Sequence, residues 1–267
     1  MTTSPDPRRR DVYSVASAGE TIYAEATGAG RPVVLCHGLG GNHAIWWRQV
    51  DPLARDHRVV TWDQRGFGNS TAVTGDVSIE AAAADLLAVL AELDLRDACV
   101  VGQSMGAFTA LRAALIDPVR FGALVISTSL VATPREHTEA LNAAVGTRSG
   151  RDRHPVVSEQ FSASDPDLVV LYNLISSFGA KPTSAAMIAQ MADASFTDAE
   201  LAQLTVPVSF AAAEFDQFCP PAVMQYAQKR FRDATMHVLA GASHSAYYET
   251  PAAWNELVLA LADGCLR

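Results

Sequence analysis

An apolar run, a serine bracketed by glycines and a helix-like segment follow one another between residues 98 and 116. The apolar run is residues 98–101 (ACVV), the pentapeptide is Gly102-Gln103-Ser104-Met105-Gly106, and residues 105–116 have helical spacing. A short continuous apolar run is typical of a strand buried on both faces of a sheet. The sequence therefore predicts a strand that turns sharply into a helix at Ser104.

The same alternation of strand and helix recurs along most of the chain. A hairpin is predicted over residues 12–17 and 21–27. Further strands are predicted at 33–37 (VVLCH), 58–62 (RVVTW), 123–127 (ALVIS), 206–212 (VPVSFAA) and 235–239, and helices at 78–93, 105–116, 222–231 and 252–262. Strands that alternate with helices predict a mostly parallel sheet with helices on both faces, which is an α/β fold.

The pattern changes between residues 130 and 202. No buried-strand run occurs there, and helical segments at 136–145, 167–177 and 184–194 alternate with polar stretches. We therefore expect four parts: a disordered tail (1–10), a first core segment (11–129), a helical insertion (130–202) and a second core segment (203–267).

Net charge, apolar runs and cysteine spacing limit the kinds of molecule that this chain is expected to bind. The chain has 267 residues and a net charge of −9, so nothing favours nucleic acid or an anionic membrane surface. No signal peptide is recognisable, and no run approaches the ~18 apolar residues of a membrane span. The four cysteines form no CxxC pair, so neither a zinc site nor a redox motif is indicated. We expect a cytoplasmic protein that binds a small molecule; its oligomeric state is left open.

Ser104 is the first candidate catalytic residue. A serine on a tight strand-to-helix turn is pushed into the cleft at the carboxyl end of the sheet, and the helix N-terminus points at it. Small residues two positions before and after it, Gly102 and Gly106, prevent collisions with neighbouring elements. Serine is a poor nucleophile by itself, so it needs a base and an acid that orients the base.

His244 is the predicted base among seven histidines. It lies in the segment 241–245 (GASHS), just after the last predicted strand, and therefore at the same sheet edge as Ser104. Two acids, Glu214 and Asp216, follow the strand that ends near Ala212. The order serine, acid, histidine matches a known catalytic architecture.

A glycine-rich loop provides the third element. The segment 37–41 (HGLGG) follows the strand VVLCH, and its glycines allow the backbone to approach the nucleophile closely. An amide N–H of this loop can act with the N–H of Met105 to bind an oxyanion. His37 itself is interpreted as a residue that shapes the loop.

These motifs together resemble the α/β-hydrolase superfamily over nearly the whole chain. The matching segments are 37–41 (HGLGG), 63–70 (DQRGFGNS), 102–106 (GQSMG), 214–216 (EFD) and 243–251 (SHSAYYETP). The resemblance implies an eight-stranded sheet with its first strands mixed in direction, and a helical cap after the sixth strand. It also implies that Leu39 and Met105 are the oxyanion donors and that Asp216 is the acid facing the histidine loop. An aspartate suits this role because its short side chain is held rigidly.

The chain also departs from parts of the superfamily. A serine nucleophile disfavours haloalkane dehalogenases and epoxide hydrolases, which need a carboxylate there. Ala107 follows Met105-Gly106 where carbon–carbon hydrolases usually have a second glycine, and the extended Gly-rich oxyanion motif of many lipases is missing. Ser243 replaces the glycine that often precedes the base, which is a small change.

We therefore predict a Ser-His-Asp hydrolase that cleaves a carboxylic ester or lactone of a small, fairly apolar substrate through an acyl-enzyme. No metal or organic cofactor is implied. Two alternatives stay open: carbon–carbon hydrolysis or a cofactor-free lyase or oxygenase step on the same triad, and a ligand-sensing protein with slow turnover. Aromatic candidates for the substrate pocket are Trp46, Phe108, Phe178 and Phe218.

Overall fold

The computed structural model describes residues 9–146, 156–179 and 181–264. Within these ranges eight strands form one sheet. The strands are β1 (Arg10–Ser17), β2 (Glu20–Gly28), β3 (Arg31–Cys36), β4 (His57–Trp62), β5 (Ala98–Gln103), β6 (Phe121–Ser127), β7 (Val208–Ala213) and β8 (Thr235–Leu239).

Eleven α-helices accompany the sheet in the described residues. They are α1 (Trp47–Leu53), α2 (Ile79–Glu92), α3 (Met105–Ile116), α4 (Arg135–Gly146), α5 (Glu159–Ser164), α6 (Pro166–Ser176), α7 (Ser184–Asp193), α8 (Asp198–Gln203), α9 (Pro221–Gln228), α10 (Ala246–Glu249) and α11 (Pro251–Ala262). Two short 3₁₀ turns lie at His43–Trp46 and Pro118–Arg120.

The sheet order is β1-β2-β4-β3-β5-β6-β7-β8. β1 and β2 pair antiparallel through a turn in which Ala18 and Gly19 both have positive φ, as a two-residue hairpin of the type I′ class requires. β2 is antiparallel to β4, and every later pair is parallel. This confirms the predicted α/β class and the eight-stranded, mostly parallel sheet with its first strands mixed in direction.

Strand β3 shows why continuous apolar runs are needed here. Val34 and Cys36 point into the apolar layer that includes α2 and α3, whereas Val33 and Leu35 point into the layer that includes α1 and α11. All four residues are fully buried. A strand with a polar alternate face would place polar groups in one of these layers.

Five helices, α4 to α8, lie between β6 and β7. The sequence predicts three of them; α5 and α8 are six-residue helices, too short to carry a clear periodicity. Their starts are nonetheless encoded locally, because Ser158 and Thr197 cap them with side-chain oxygens.

Two further expectations concern the chain start and the cysteines. Arg10 begins β1, so the expected tail 1–10 ends sooner than predicted; its first eight residues lie outside the described ranges. Cys36, Cys99 and Cys219 are buried free thiols, and burial raises the pKa of Cys36 and Cys99 to about 12. Cys265 lies outside the described residues.

A bilayer-spanning helix, which would have to be long and apolar, does not occur in the described part of the chain.

Candidate active site

Ser104 lies between the end of β5 and the start of α3, with φ 51° and ψ −115°. Positive φ is strained for a residue with a side chain, and it persists only where neighbouring structure enforces it. Here the Ser104 N–H donates to the Ser127 carbonyl at 2.9 Å, and the Ser129 hydroxyl donates to the Ser104 carbonyl at 2.8 Å. Both partners belong to β6 or the loop after it, so the neighbouring strand holds the turn in its strained form.

The two bracketing glycines are required by close packing. A Cβ on Gly102 would overlap the backbone of Ala107, one turn into α3. A Cβ on Gly106 would overlap the backbone carbonyl of Cys36, at the end of β3. The glycines therefore let α3 lie directly against the sheet at the point where Ser104 leaves it.

His244 and Asp216 form a buried pair. The His244 Nδ1 lies 2.9 Å from Asp216 Oδ2, and the aspartate side chain is fully buried. Asp216 Oδ1 accepts the backbone N–H groups of Phe218 and Cys219, at 2.8 and 2.9 Å. An ionised Asp216 can only accept, so Nδ1 carries the proton and the Nε2 lone pair is left to act as a base.

The loop that carries His244 is fixed from several directions. The backbone carbonyl of His244 accepts hydrogen bonds from the Thr128 hydroxyl at 3.0 Å and from the Gln103 side-chain amide at 3.3 Å. The Phe218 ring packs edge-on against the imidazole, with ring centroids 5.3 Å apart. The Ser245 N–H donates to the Val156 carbonyl at 3.1 Å, which ties the loop to the segment between β6 and β7.

The structure separates the two candidate acids. Glu214 is exposed, and its Oε2 accepts the Gly241 N–H at 2.9 Å. This bond braces the start of the histidine loop, but it directs the carboxylate to the backbone instead of the imidazole. Of the two acids, Asp216 is the one that contacts His244.

His37 shapes the glycine-rich loop. Its Nε2 accepts the Gln64 N–H at 3.0 Å, and the Gln64 amide donates to the His37 carbonyl at 2.7 Å. Burial lowers the pKa of His37, so the ring stays neutral and its Nδ1–H donates to the Gly38 carbonyl at 2.9 Å. Leu39 then reaches the cavity that contains Ser104. Met105 is the first residue of α3, so its N–H has no intrahelical acceptor.

The remaining histidines lie elsewhere. The Nδ1 atom of His43 is hydrogen-bonded to the carboxylate of buried Asp63, the residue directly after β4. His57 and His237 lie in β4 and β8, His137 is exposed on α4, and His154 is outside the described residues.

One cavity of about 160 Å³ is lined by both Ser104 and His244. The sheet side contributes Leu39, Gly40, Gln103, Ser104, Phe218 and His244. The segment between β6 and β7 contributes Leu141, Val156, Tyr172, Ser176, Lys181, Ser184, Ile188 and Met191. Helix α7 lies along this wall, because Ser184, Ile188 and Met191 are spaced one helical turn apart.

Three of the four predicted pocket aromatics lie elsewhere. Trp46 is fully buried in the core, with its ring 4.7 Å from Tyr247. Phe108 is also buried and lines a different cavity. Phe178 is 68% exposed, and only Phe218 of the four lines the cavity with Ser104. Aromatic type signals burial in general, and the choice between core and pocket depends on tertiary packing.

The cavity wall formed by the segment between β6 and β7 is called the outer wall below. The sequence analysis missed its polar residues Tyr172, Ser176 and Lys181. Tyr172 is buried, and its hydroxyl hydrogen bonds with Ser245 Oγ at 3.1 Å and Tyr247 Oη at 3.0 Å. One feature of the sequence could have drawn attention to Lys181: the chain has only two lysines, Lys181 and Lys229.

One group of potential metal ligands occurs within the described ranges: Asp216, Cys219 and His244, with ligand atoms within 4.8 Å of one another. All three residues are buried. A metal ion would have to break the bond between Asp216 and His244, and burial raises the pKa of the Cys219 thiol well above its usual range. The group is therefore better suited to proton transfer than to metal binding.

Comparison with known proteins agrees with the fold described above. Residues 31–151 match the sequence model of the α/β hydrolase fold. One relative is a protein of Azorhizobium caulinodans that carries the name of the carbamate hydrolase RutD. It is 36% identical to this chain over 105 residues. That match covers 39% of this chain and 40% of the length of the Azorhizobium protein. The RutD protein of Variovorax paradoxus is 28% identical over 242 residues, covering 86% and 91% of the two chains.

A solved structure is similar over almost the full length. It is a thermophilic esterase from Thermogutta terrifontis with malate bound, 25% identical, with a TM-score of 0.80, and the alignment covers 95% of this chain and 97% of the esterase. With the sheet order and the strand–serine–helix turn, these matches confirm the resemblance to the α/β-hydrolase superfamily and show that the chain has its fold.

Proposed function

We propose that the protein is a serine hydrolase that cleaves a carboxylic ester or lactone of a small substrate through an acyl-enzyme. The observation that carries this proposal is the buried 2.9 Å contact between His244 and Asp216, in a cavity that also holds the strained Ser104. A histidine oriented in this way has its basic nitrogen free for a serine hydroxyl.

Acylation begins at Ser104. His244 Nε2 takes the hydroxyl proton as Ser104 Oγ attacks the substrate carbonyl carbon. Asp216 stabilises the resulting imidazolium, and its two oxygens are held in place by three hydrogen bonds. The imidazolium then gives its proton to the departing alcohol oxygen, which leaves an ester between Ser104 and the acyl group.

Deacylation repeats these steps with water. His244 removes a proton from the water as it attacks the acyl carbonyl, and Ser104 leaves with that proton. In both halves the carbonyl oxygen becomes negatively charged, and the N–H groups of Leu39 and Met105 are assigned to hold it. The positive end of the α3 helix dipole adds to this stabilisation because α3 starts beside the nucleophile.

The insertion is assigned as the cap that selects the substrate. We propose that residues 130–202 form a separate cap on a core made of 11–129 and 203–267. Its side chains make up more than half of the cavity wall, including Leu141, Ile188 and Met191. These apolar side chains fit the short hydrocarbon part of a small acyl group. The carbamate and esterase names of the relatives fit the same attack on an acyl carbonyl.

The test is steady-state turnover by the wild-type protein of short alkyl esters, lactones, an alkyl carbamate and a β-diketone. Ser104→Ala and Ser164→Ala, a surface control on α5, are compared with it. We expect ester or lactone turnover to be lost in Ser104→Ala and kept in Ser164→Ala. Turnover of the diketone alone would assign carbon–carbon hydrolysis instead. Tight binding without turnover would assign a sensing role.

A further inference from the structure

We propose, on the basis of the proposed acyl-hydrolase activity, that the preferred substrate carries a second, ionised carboxylate and that Lys181 binds it. The site proposed is the outer wall of the active-site cavity, where Lys181 and Ser176 lie near the start of α7. The substrate class is a half-ester of a short dicarboxylic acid.

The charge of the cavity is the first argument. Lys181 is its only cationic lining residue of the lysine or arginine type, and no aspartate or glutamate lines it in the described part of the chain. This contrasts with the net charge of −9 for the whole chain. A cavity lined by one cation and no carboxylate favours an anionic ligand.

The hydrogen bonding of Lys181 is the second argument. Its ammonium donates to the Ser176 carbonyl at 2.6 Å, and no salt bridge to a carboxylate joins it within the described ranges. An ammonium has three donors. Within the described residues no carboxylate compensates its charge, and donors remain for a ligand oxygen.

Ser176 and the start of α7 give the third, independent argument. Ser176 is buried, with only 7% of its surface exposed. Its hydroxyl has no hydrogen-bond partner among the described residues. Buried hydroxyls without a partner are uncommon because a desolvated donor that makes no hydrogen bond destabilises the fold. Helix α7 begins at Ser184 on the same wall, with Thr183 capping only the N–H of Ala186. The first-turn amide of Ser184 has no acceptor among the described residues and can donate to an anion.

The location sets the shape of the substrate. Ser104 and His244 belong to the sheet side of the cavity, and Lys181 belongs to the wall formed by the segment between β6 and β7. One end of the ligand must therefore place an ester carbonyl at Ser104 while the other places a carboxylate at Lys181. A cavity of about 160 Å³ leaves room for a short linker between them.

The test compares two esters of matched shape. Monomethyl glutarate carries the carboxylate, and methyl 5-oxohexanoate replaces it with a neutral acetyl group. Methanol release by wild type, Lys181→Met, Lys181→Arg and Lys229→Met gives kcat/KM for each ester. Lys229 follows α9, away from the cavity, and controls for the loss of a lysine.

We expect wild type to prefer the glutarate half-ester, and Lys181→Met to lower the ratio of the two kcat/KM values by about tenfold. Lys181→Arg should keep the preference, and Lys229→Met should not change the ratio. In wild type, 1 M salt should also reduce the preference, because screening then acts within about 3 Å. This second readout does not depend on a variant that folds.

Opposite results overturn the inference. An unchanged ratio in Lys181→Met, or a wild-type preference for the neutral ester, shows that Lys181 does not bind a substrate carboxylate. Ser104-dependent turnover of the neutral ester would in that case leave the proposed hydrolase activity intact. If wild type hydrolyses neither these two esters nor other esters and lactones, the proposed function fails first.

Discussion

Replacing Asp216 by asparagine should nearly abolish turnover, for a reason that the structure makes specific. Asp216 Oδ1 accepts two backbone N–H groups, from Phe218 and Cys219. An asparagine must place its carbonyl oxygen there, because its NH₂ group would face two donors. The NH₂ is then directed at His244 Nδ1, which must become an acceptor. The ring proton moves to Nε2, where it prevents His244 from accepting the Ser104 proton.

The expected loss is about 10³–10⁴ in kcat, or about 4–5 kcal/mol of transition-state stabilisation. The assay is steady-state hydrolysis of the best ester, with circular dichroism to show that the variant is folded. Glu214→Gln is the matched control, since the Glu214 carboxylate accepts the Gly241 N–H and does not contact His244 within the described residues. It should lower kcat by less than about tenfold. The reasoning is refuted if Asp216→Asn keeps most of the activity, or if Glu214→Gln is the more damaging change.

Three further predictions concern the frame around the site. Asp85→Ala should lower the free energy of unfolding in urea by about 3–5 kcal/mol, because it leaves the buried guanidinium of Arg65 unpaired; a loss below about 1 kcal/mol would contradict this. Hydrogen bonds led by that of Thr71 lower the pKa of Glu20 to about 2, below its usual 4.5, so its carboxylate stabilises the fold above pH about 4.5 and this contribution is lost as the pH falls towards about 2. The difference in urea midpoint between wild type and Glu20→Gln should therefore shrink over this window, and a constant difference would count against it. Gly106→Ala should lower both Tm and activity, because the added methyl overlaps the backbone at the start of the glycine-rich loop 37–41; wild-type values for both would disprove the packing argument.

The sheet could be predicted because its information is local. β3 and β5 are buried on both faces, so each appears in the sequence as an uninterrupted apolar run, and the glycines around Ser104 mark the turn that follows. The residues predicted for the triad follow β5, β7 and β8, which run parallel, so their carboxyl ends meet at one edge. Parallel pairing thus brings distant segments together without any sequence signal for the contact itself.

The cavity wall could not be predicted in the same way. Trp46 packs on Tyr247 and Trp254, residues about 200 positions further along the chain, and nothing near Trp46 indicates this. Lys181 reaches the cavity only because α6 and α7 fold back over the sheet edge. Side chains in the insertion acquire their roles from helix packing, which has no short-range signature.

Covalent labelling of Ser104 tests the central claim most directly. The folded protein is treated with an alkyl fluorophosphonate, which reacts with serines activated by a neighbouring base, and the adduct is located by peptide mass spectrometry. We expect one adduct per chain, on Ser104, and none in Ser104→Ala under the same conditions. An adduct on another residue, or folded protein that remains unlabelled, would contradict the assignment of Ser104 as the nucleophile.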